Sequence, residues 1–177
     1  QFRVGDIPSI YYIPDFVSEE TERSILAHAY AVEDESSSWV KLRTRRLQCW
    51  GGQPGPDFRP GPLPPWTKVL CDNFVSRGLV GTADKLDHLL LNGKLCIKSY
   101  QPGQGIMPHT DGPYYAPLTA TLSLGSDAIM HFSPRVGTND IGRVETHPLA
   151  SVVLRNRSLV VFTDEAYTNL MHSIDDV

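Results

Sequence analysis

From Lys94 onward apolar and polar positions alternate in short runs: KLCIKSY, LTATLSLG, AIMHFS, ASVVLRN, RSLVVFT and YTNLMHSI. β-Branched and aromatic residues fill these runs, and Pro102-Gly103, Gly125-Ser126-Asp127 and Arg155-Asn156-Arg157 separate several of them, which predicts short strands joined by turns. The first half has a different rhythm. Ser18 followed by Glu19, Glu20 and Glu22 is a helix start, because a serine oxygen caps the first free amides and carboxylates favour the positive end of the helix dipole. A helix is expected from about Glu19 to Tyr30. Residues 31–38 are polar and acidic and read as a surface connection. In WVKLRTRRLQCWGG, Lys41, Arg43, Arg45 and Arg46 lie among apolar residues with Trp39 and Trp50 on either side. Residues 51–66 contain ten Gly or Pro, a composition that excludes regular helix or strand and predicts a constrained loop. After it, Trp66, Val69, Leu70 and Phe74 recur at helical spacing, and Arg77-Gly78 is a stop, so a second helix is expected there.

Helices first and many short strands afterwards predict the α+β class, with the strands closing into a sandwich or jelly roll. No βαβ rhythm and no internal repeat is present. The GQG at 103–105 leads into a histidine-bearing strand pattern where a dinucleotide loop needs a helix. The 177 residues, 41% hydrophobic and 20% charged, suffice for one globular domain with an ordinary core.

A net charge of −4 excludes a surface that is basic all over, so any polyanion has to meet a local patch. Lys41, Arg43, Arg45 and Arg46 beside Trp39 and Trp50 form such a patch, with cations for phosphates and aromatic faces for bases. The same pattern also fits a strand with one charged solvent face and core tryptophans. Cys49, Cys71 and Cys96 are an odd set without C-x-x-C spacing, which suits reduced thiols inside a cell. No apolar run approaches the ~18 residues that span a bilayer, and no signal-peptide pattern opens the chain. A soluble protein of the cytoplasm and nucleus, with no membrane partner, is the expectation.

PHTDGPYY at 108–115 carries the candidate chemistry. Residues two apart on an extended strand project from one face, so His109 and Asp111 can reach one metal ion. Two histidines and one carboxylate are the donor set of non-haem Fe(II) oxygenases, and the third donor must come from another strand. His28 and His88 precede the strand region and read as surface or packing residues, and His147 beside Pro148 reads as loop. His131 lies in a run whose inward face has Ala128, Met130 and Phe132 as alternatives. His172, on a late strand able to run beside that of His109, is the candidate we favour. An H-x-D triplet also arises by chance and isolated histidines usually pack or face solvent, so spacing alone leaves the iron reading open.

The segments SYQPGQGIMPHTDGPYY, TLSLGS and AYTNLMHSI together resemble the AlkB family of Fe(II)- and 2-oxoglutarate-dependent dioxygenases, and within it the sixth group of eukaryotic homologues. YYIPDFVSEE, RRLQCWGG and LPPW fit the same relatives, so the resemblance spans nearly the whole chain. It implies a double-stranded β-helix (jelly-roll) core over 94–177, preceded by N-terminal helices and a substrate-recognition lid over 1–93. His109, Asp111 and His172 become the Fe(II) ligands, with 2-oxoglutarate and O2 as cosubstrates and oxidative demethylation of alkylated RNA or DNA, or of protein, as the activity. The family binds 2-oxoglutarate with an N-x-Y pair ahead of the iron motif. Tyr100 matches the tyrosine, but Lys98 stands at the asparagine position. The family also carries arginines on a strand after the distal histidine, whereas SIDDV follows His172 here, so the chain is expected to lack its last strand. Arg45, Arg46, Trp50 and Tyr114 are the candidate substrate contacts. A catalytically weak AlkB fold that binds nucleic acid or a protein partner is the alternative.

Overall fold

A computed structural model describes residues 3–31, 39–41, 46–50, 63–79, 89–92, 105–111, 117–135 and 147–175, with the backbone alone at 39–41, 46–49 and 89–92. In chain order the elements are β1 (Ile10–Ile13), α1 (Glu19–Tyr30), β2 (Trp39–Lys41), β3 (Arg46–Trp50), α2 (Lys68–Ser76) and β4 (Leu89–Asn92). They continue with β5 (Ile106–His109), β6 (Leu118–Leu122), β7 (Ala128–Pro134), β8 (Ala150–Leu154), β9 (Leu159–Thr163), α3 (Asp164–Thr168) and β10 (Leu170–Ile174).

The chain divides into two compact units, one of Gln1–Glu19 with Pro102–Val177 and the other of Glu20–Gln101. The first holds two antiparallel sheets, in the orders β1-β9-β6 and β5-β10-β7-β8. This is the α+β arrangement with a jelly-roll core that the sequence predicts. Its strand interiors follow the alternation: on β7, Met130 and Phe132 are buried while Ile129 and His131, the residues before each of them, are half exposed and partly buried. Phe132 and Phe162 meet edge to face across the core, with ring centroids 5.3 Å apart. Met130, Val152, Leu154, Val160, Tyr167 and Leu170 pack into the same cluster. Each large side chain removed from water there contributes roughly 1.5–3 kcal/mol. β9 is buried along Leu159–Phe162 and accordingly reads as an unbroken apolar run rather than an alternating one.

Three features depart from the sequence reading. β1 belongs to the jelly-roll unit: Ile10–Ile13 pair antiparallel with β9, and Ile10 is fully buried. Pro8 and Pro14 bracket this strand, which sits at the edge of its sheet. The run YTNLMHSI is not strand throughout, since Tyr167 and Thr168 close α3 and β10 starts at Leu170. The buried Ser9 side chain accepts the Ala166 N–H at 3.1 Å and so helps to hold this short helix where the chain passes from one sheet to the other.

The third departure lies in the second unit, which contains a three-stranded antiparallel sheet, β2-β3-β4, beside the two expected helices. α1 buries Ile25 and Ala29, four residues apart on one face. α2 buries Leu70, Cys71 and Phe74 and follows a 3-10 turn over Pro65–Thr67. His28 stacks on Trp66 at 5.6 Å between centroids, and Trp50 meets Trp66 edge-on at 6.2 Å. Among the described residues no helix is long and apolar enough to cross a membrane.

Candidate metal centre

His172 sits on the inward face of β10, opposite Phe132 of β7, with its ring 5.0 Å from that of Phe162 on β9. It is 7% exposed. His109 ends β5 and pairs directly with His172, and the two rings are 4.2 Å apart between centroids. Asp111 lies two residues beyond the end of β5 and faces both imidazoles. Its Oδ1 is 3.7 Å from Nε2 of His109, and its Oδ2 is 3.8 Å from Nε2 of His172. The three donor atoms lie within 4.8 Å of one another.

Hydrogen bonds fix the direction of these donors. The Nδ1 of His109 is 2.8 Å from the carbonyl oxygen of Met107. A carbonyl only accepts, so Nδ1 carries the proton and Nε2 keeps its lone pair toward Asp111. Thr119 on β6 donates its hydroxyl to Oδ2 of Asp111 at 2.7 Å. Backing of this kind is what orients imidazole and carboxylate ligands in metal sites. For His172, burial is the largest influence on its pKa and lowers it. Asp111 raises it, His109 lowers it, and the result is depressed to about 4. Its imidazole is therefore neutral at neutral pH, the form that binds a metal.

Adjacent ligands of an octahedral ion with bonds of about 2.1 Å stand about 3 Å apart. The separations of 3.7 and 3.8 Å from Asp111, with all three donors within 4.8 Å of one another, mean that the donors close on one ion with relative shifts of roughly 1–2 Å. The set fits a first-row divalent ion. Two imidazoles and one carboxylate would leave a bound divalent ion with a net charge of +1.

His131 faces the other side of the sheet, where its Nδ1 meets the hydroxyl of Ser151 at 2.8 Å and its Nε2 lies 3.3 Å from Asp175. His147 is exposed. His172 is thus the histidine that the fold brings to His109 and Asp111, and Met130 and Phe132 take the inward positions of β7. Thr119 had no signal in the spacing, because it meets Asp111 across two sheets, and the Met107 carbonyl, two residues before His109 on the same strand, is turned to the ring by the local backbone and not by any side-chain pattern. Lys98, Tyr100, Arg45, Tyr114 and His88 lie outside the described residues, and Arg46 falls on β3, where the backbone alone is described. Trp50 is half-buried against Trp66.

The chain is 33% identical over 174 residues to the probable RNA/DNA demethylase ALKBH6 of Danio rerio, covering 96% of this chain and 70% of that protein. It belongs to the AlkB family. Another AlkB relative, the tRNA (carboxymethyluridine(34)-5-O)-methyltransferase alkbh8 of Xenopus tropicalis, is 31% identical over 179 residues, which span 94% of this chain but 25% of that longer protein. The structure of OsALKBH1 superposes with a TM-score of 0.69 at 13% identity, covering 96% of this chain and 86% of that one, so the AlkB fold is retained at low sequence similarity. No protein-family model matches the chain.

Proposed function

We propose that this AlkB-family chain is an Fe(II)- and 2-oxoglutarate-dependent dioxygenase that oxidatively demethylates alkylated nucleic acid. The observation that carries the reading is the convergence of His109, Asp111 and His172, two imidazoles and a carboxylate, from β5, the segment after β5 and β10. The zebrafish relative, named a probable RNA/DNA demethylase, supports nucleic acid as the substrate class.

With Fe(II) bound, the chemistry supplied is hydroxylation of a methyl C–H bond by O2 coupled to oxidation of 2-oxoglutarate to succinate and CO2, and a hydroxylated N-methyl group then releases formaldehyde. The chain's own residues orient and insulate this chemistry. Met107 holds the His109 ring with Nε2 inward, and Thr119 holds the Asp111 carboxylate. Phe132 and Phe162 wall the His172 side and keep water from it. His109 and Asp111, each about a third exposed, are left as the side through which cosubstrate and substrate enter. Tyr100 and Lys98 are the proposed contacts to 2-oxoglutarate, the lysine pairing with a carboxylate as a point charge. Arg45, Arg46, Trp50 and Tyr114 are the proposed contacts to the nucleic acid.

Lys98 in place of the family's asparagine favours a second reading, a weakly catalytic fold that binds nucleic acid or a protein partner. Incubating the chain with Fe(II), 2-oxoglutarate, O2 and N-methylated oligonucleotides separates the two. Formaldehyde and succinate released in equal amounts support the dioxygenase. Tight oligonucleotide binding without either product supports the binding module.

A further inference from the structure

β5 and β10 do not pair one to one. His109 stands opposite His172 and Ile106 opposite Ile174, so Met107 and Pro108 together face the single residue Ser173. Two residues against one is a β-bulge, a device that re-aims side chains. We propose that the Met107-Pro108 bulge, with Gly105 beside it, is the positioning element that turns His109 into the metal centre. This inference rests on the metal-site reading above.

Side-chain parity carries the argument. On an unbroken strand residues three apart face opposite sides, so His109 would point away from the side that Ile106 faces. The extra residue reverses this. Ile106 and His109 are both half-buried, while Met107 and Pro108 between them are exposed in succession, Met107 to 73%. Ile174 and His172, their partners on β10, likewise share the inward face. Remove the bulge and His109 rotates away from Asp111 and His172.

Three features hold the bulge. Pro108 has no N–H to give to a regular ladder, so an unbulged register gains nothing from it. The Met107 carbonyl accepts the Nδ1–H of His109, so the bulge also sets the ring's tautomer. At Gly105 the strands approach so closely that a Cβ would overlap the Ile174 carbonyl oxygen and stand 2.7 and 2.8 Å from the carbonyl carbon and oxygen of Asp175. Those are backbone atoms and cannot swing aside, so any side chain at 105 pushes β5 off β10 next to the bulge.

The test is a Co(II) titration followed by the ion's visible absorption, run on the parent chain, Gly105→Ala, Pro108→Ala and Val152→Ala, with Tm measured for each. Val152 is buried on β8, the strand farthest from β5 in its sheet, and its truncation destabilises the same unit without touching the bulge. We expect Gly105→Ala and Pro108→Ala to weaken Co(II) binding by about tenfold or more and to change the band shape. Val152→Ala should lower Tm at least as far and keep the parent's affinity and spectrum. Bulge variants with the parent's affinity, or a Val152→Ala variant that loses as much affinity as they do, would overturn the proposal. Should Gly105→Ala fail to fold, Pro108→Ala decides alone, because its side chain is exposed. A parent chain with no Co(II) spectrum, or with one that His172→Ala run beside it retains, would sink the metal-site reading itself, and the positioning role with it. That outcome is distinct from a binding parent with indifferent variants.

Discussion

Replacing Thr119 by valine removes one hydroxyl from the metal centre and little else. In the folded chain that hydroxyl donates to Oδ2 of Asp111 at 2.7 Å, and Thr119 lies on β6, paired with Phe162 of β9. Valine keeps the β-branched shape and the strand preference, so the sheet survives. A hydrogen bond to a charged group is worth about 1.5–3 kcal/mol, or roughly tenfold to a hundredfold in an equilibrium constant. Asp111 retains 30% side-chain exposure, so water replaces part of the lost bond and the effect falls near the lower end. Metal affinity should therefore drop by about tenfold, while Tm of the metal-free chain moves by only a few degrees. Competition between the chain and a chromophoric chelator for Fe(II) under anaerobic conditions measures this. Unchanged affinity would show that the Thr119 bond does not prepare Asp111 as a ligand, and the argument from orienting hydrogen bonds would fail.

His172→Ala should abolish metal binding while His131→Ala preserves it, and the reverse in the same competition assay would overturn the ligand assignment. In the metal-free chain, NMR of the histidine ring carbons should show His172 titrating near 4, well below the ordinary 6.5, because burial opposes its charged form. The unfolded chain takes up that proton first. The contribution of His172 to stability is thus full above about pH 6.5 and is lost as the pH falls toward 4, so the parent's denaturation midpoint should fall relative to that of His172→Phe over that window. Replacing Arg45 and Arg46 together by alanine should weaken binding to a single-stranded oligonucleotide and flatten its dependence on log salt by about 1.4, two phosphate contacts' worth. An unaltered salt slope would mean that these arginines only face solvent.

The pair His109 and Asp111 was visible in the sequence because H-x-D spacing lets both side chains reach one ion, although Asp111 lies beyond the end of β5 and not on the strand. His172 was visible because its run read as a late strand. The bounds of α1 were legible because Ser18 and three glutamates mark its start. Other elements were hidden for physical reasons. α3 is five residues long, too short for a 3.6-residue period to show, and Tyr167 and Thr168 suit a strand equally well. β1 is four residues in a run closed by Pro8 and Pro14, too short to declare its sheet before pairing with β9 supplies its hydrogen bonds. The bulge left one clue, a proline inside a strand, which by itself says only edge or bulge. Thr119 left none, since its meeting with Asp111 is made by the packing of two sheets and not by any local pattern.

The central claim is that His109, Asp111 and His172 hold Fe(II) in a site that also accepts a 2-oxo acid. Anaerobic addition of Fe(II) and then 2-oxoglutarate to the chain, followed by visible absorption, tests it most directly. A charge-transfer band that needs both additions and is absent from His172→Ala is the expected result. No band in the parent chain, or an equal band in His172→Ala, would contradict it.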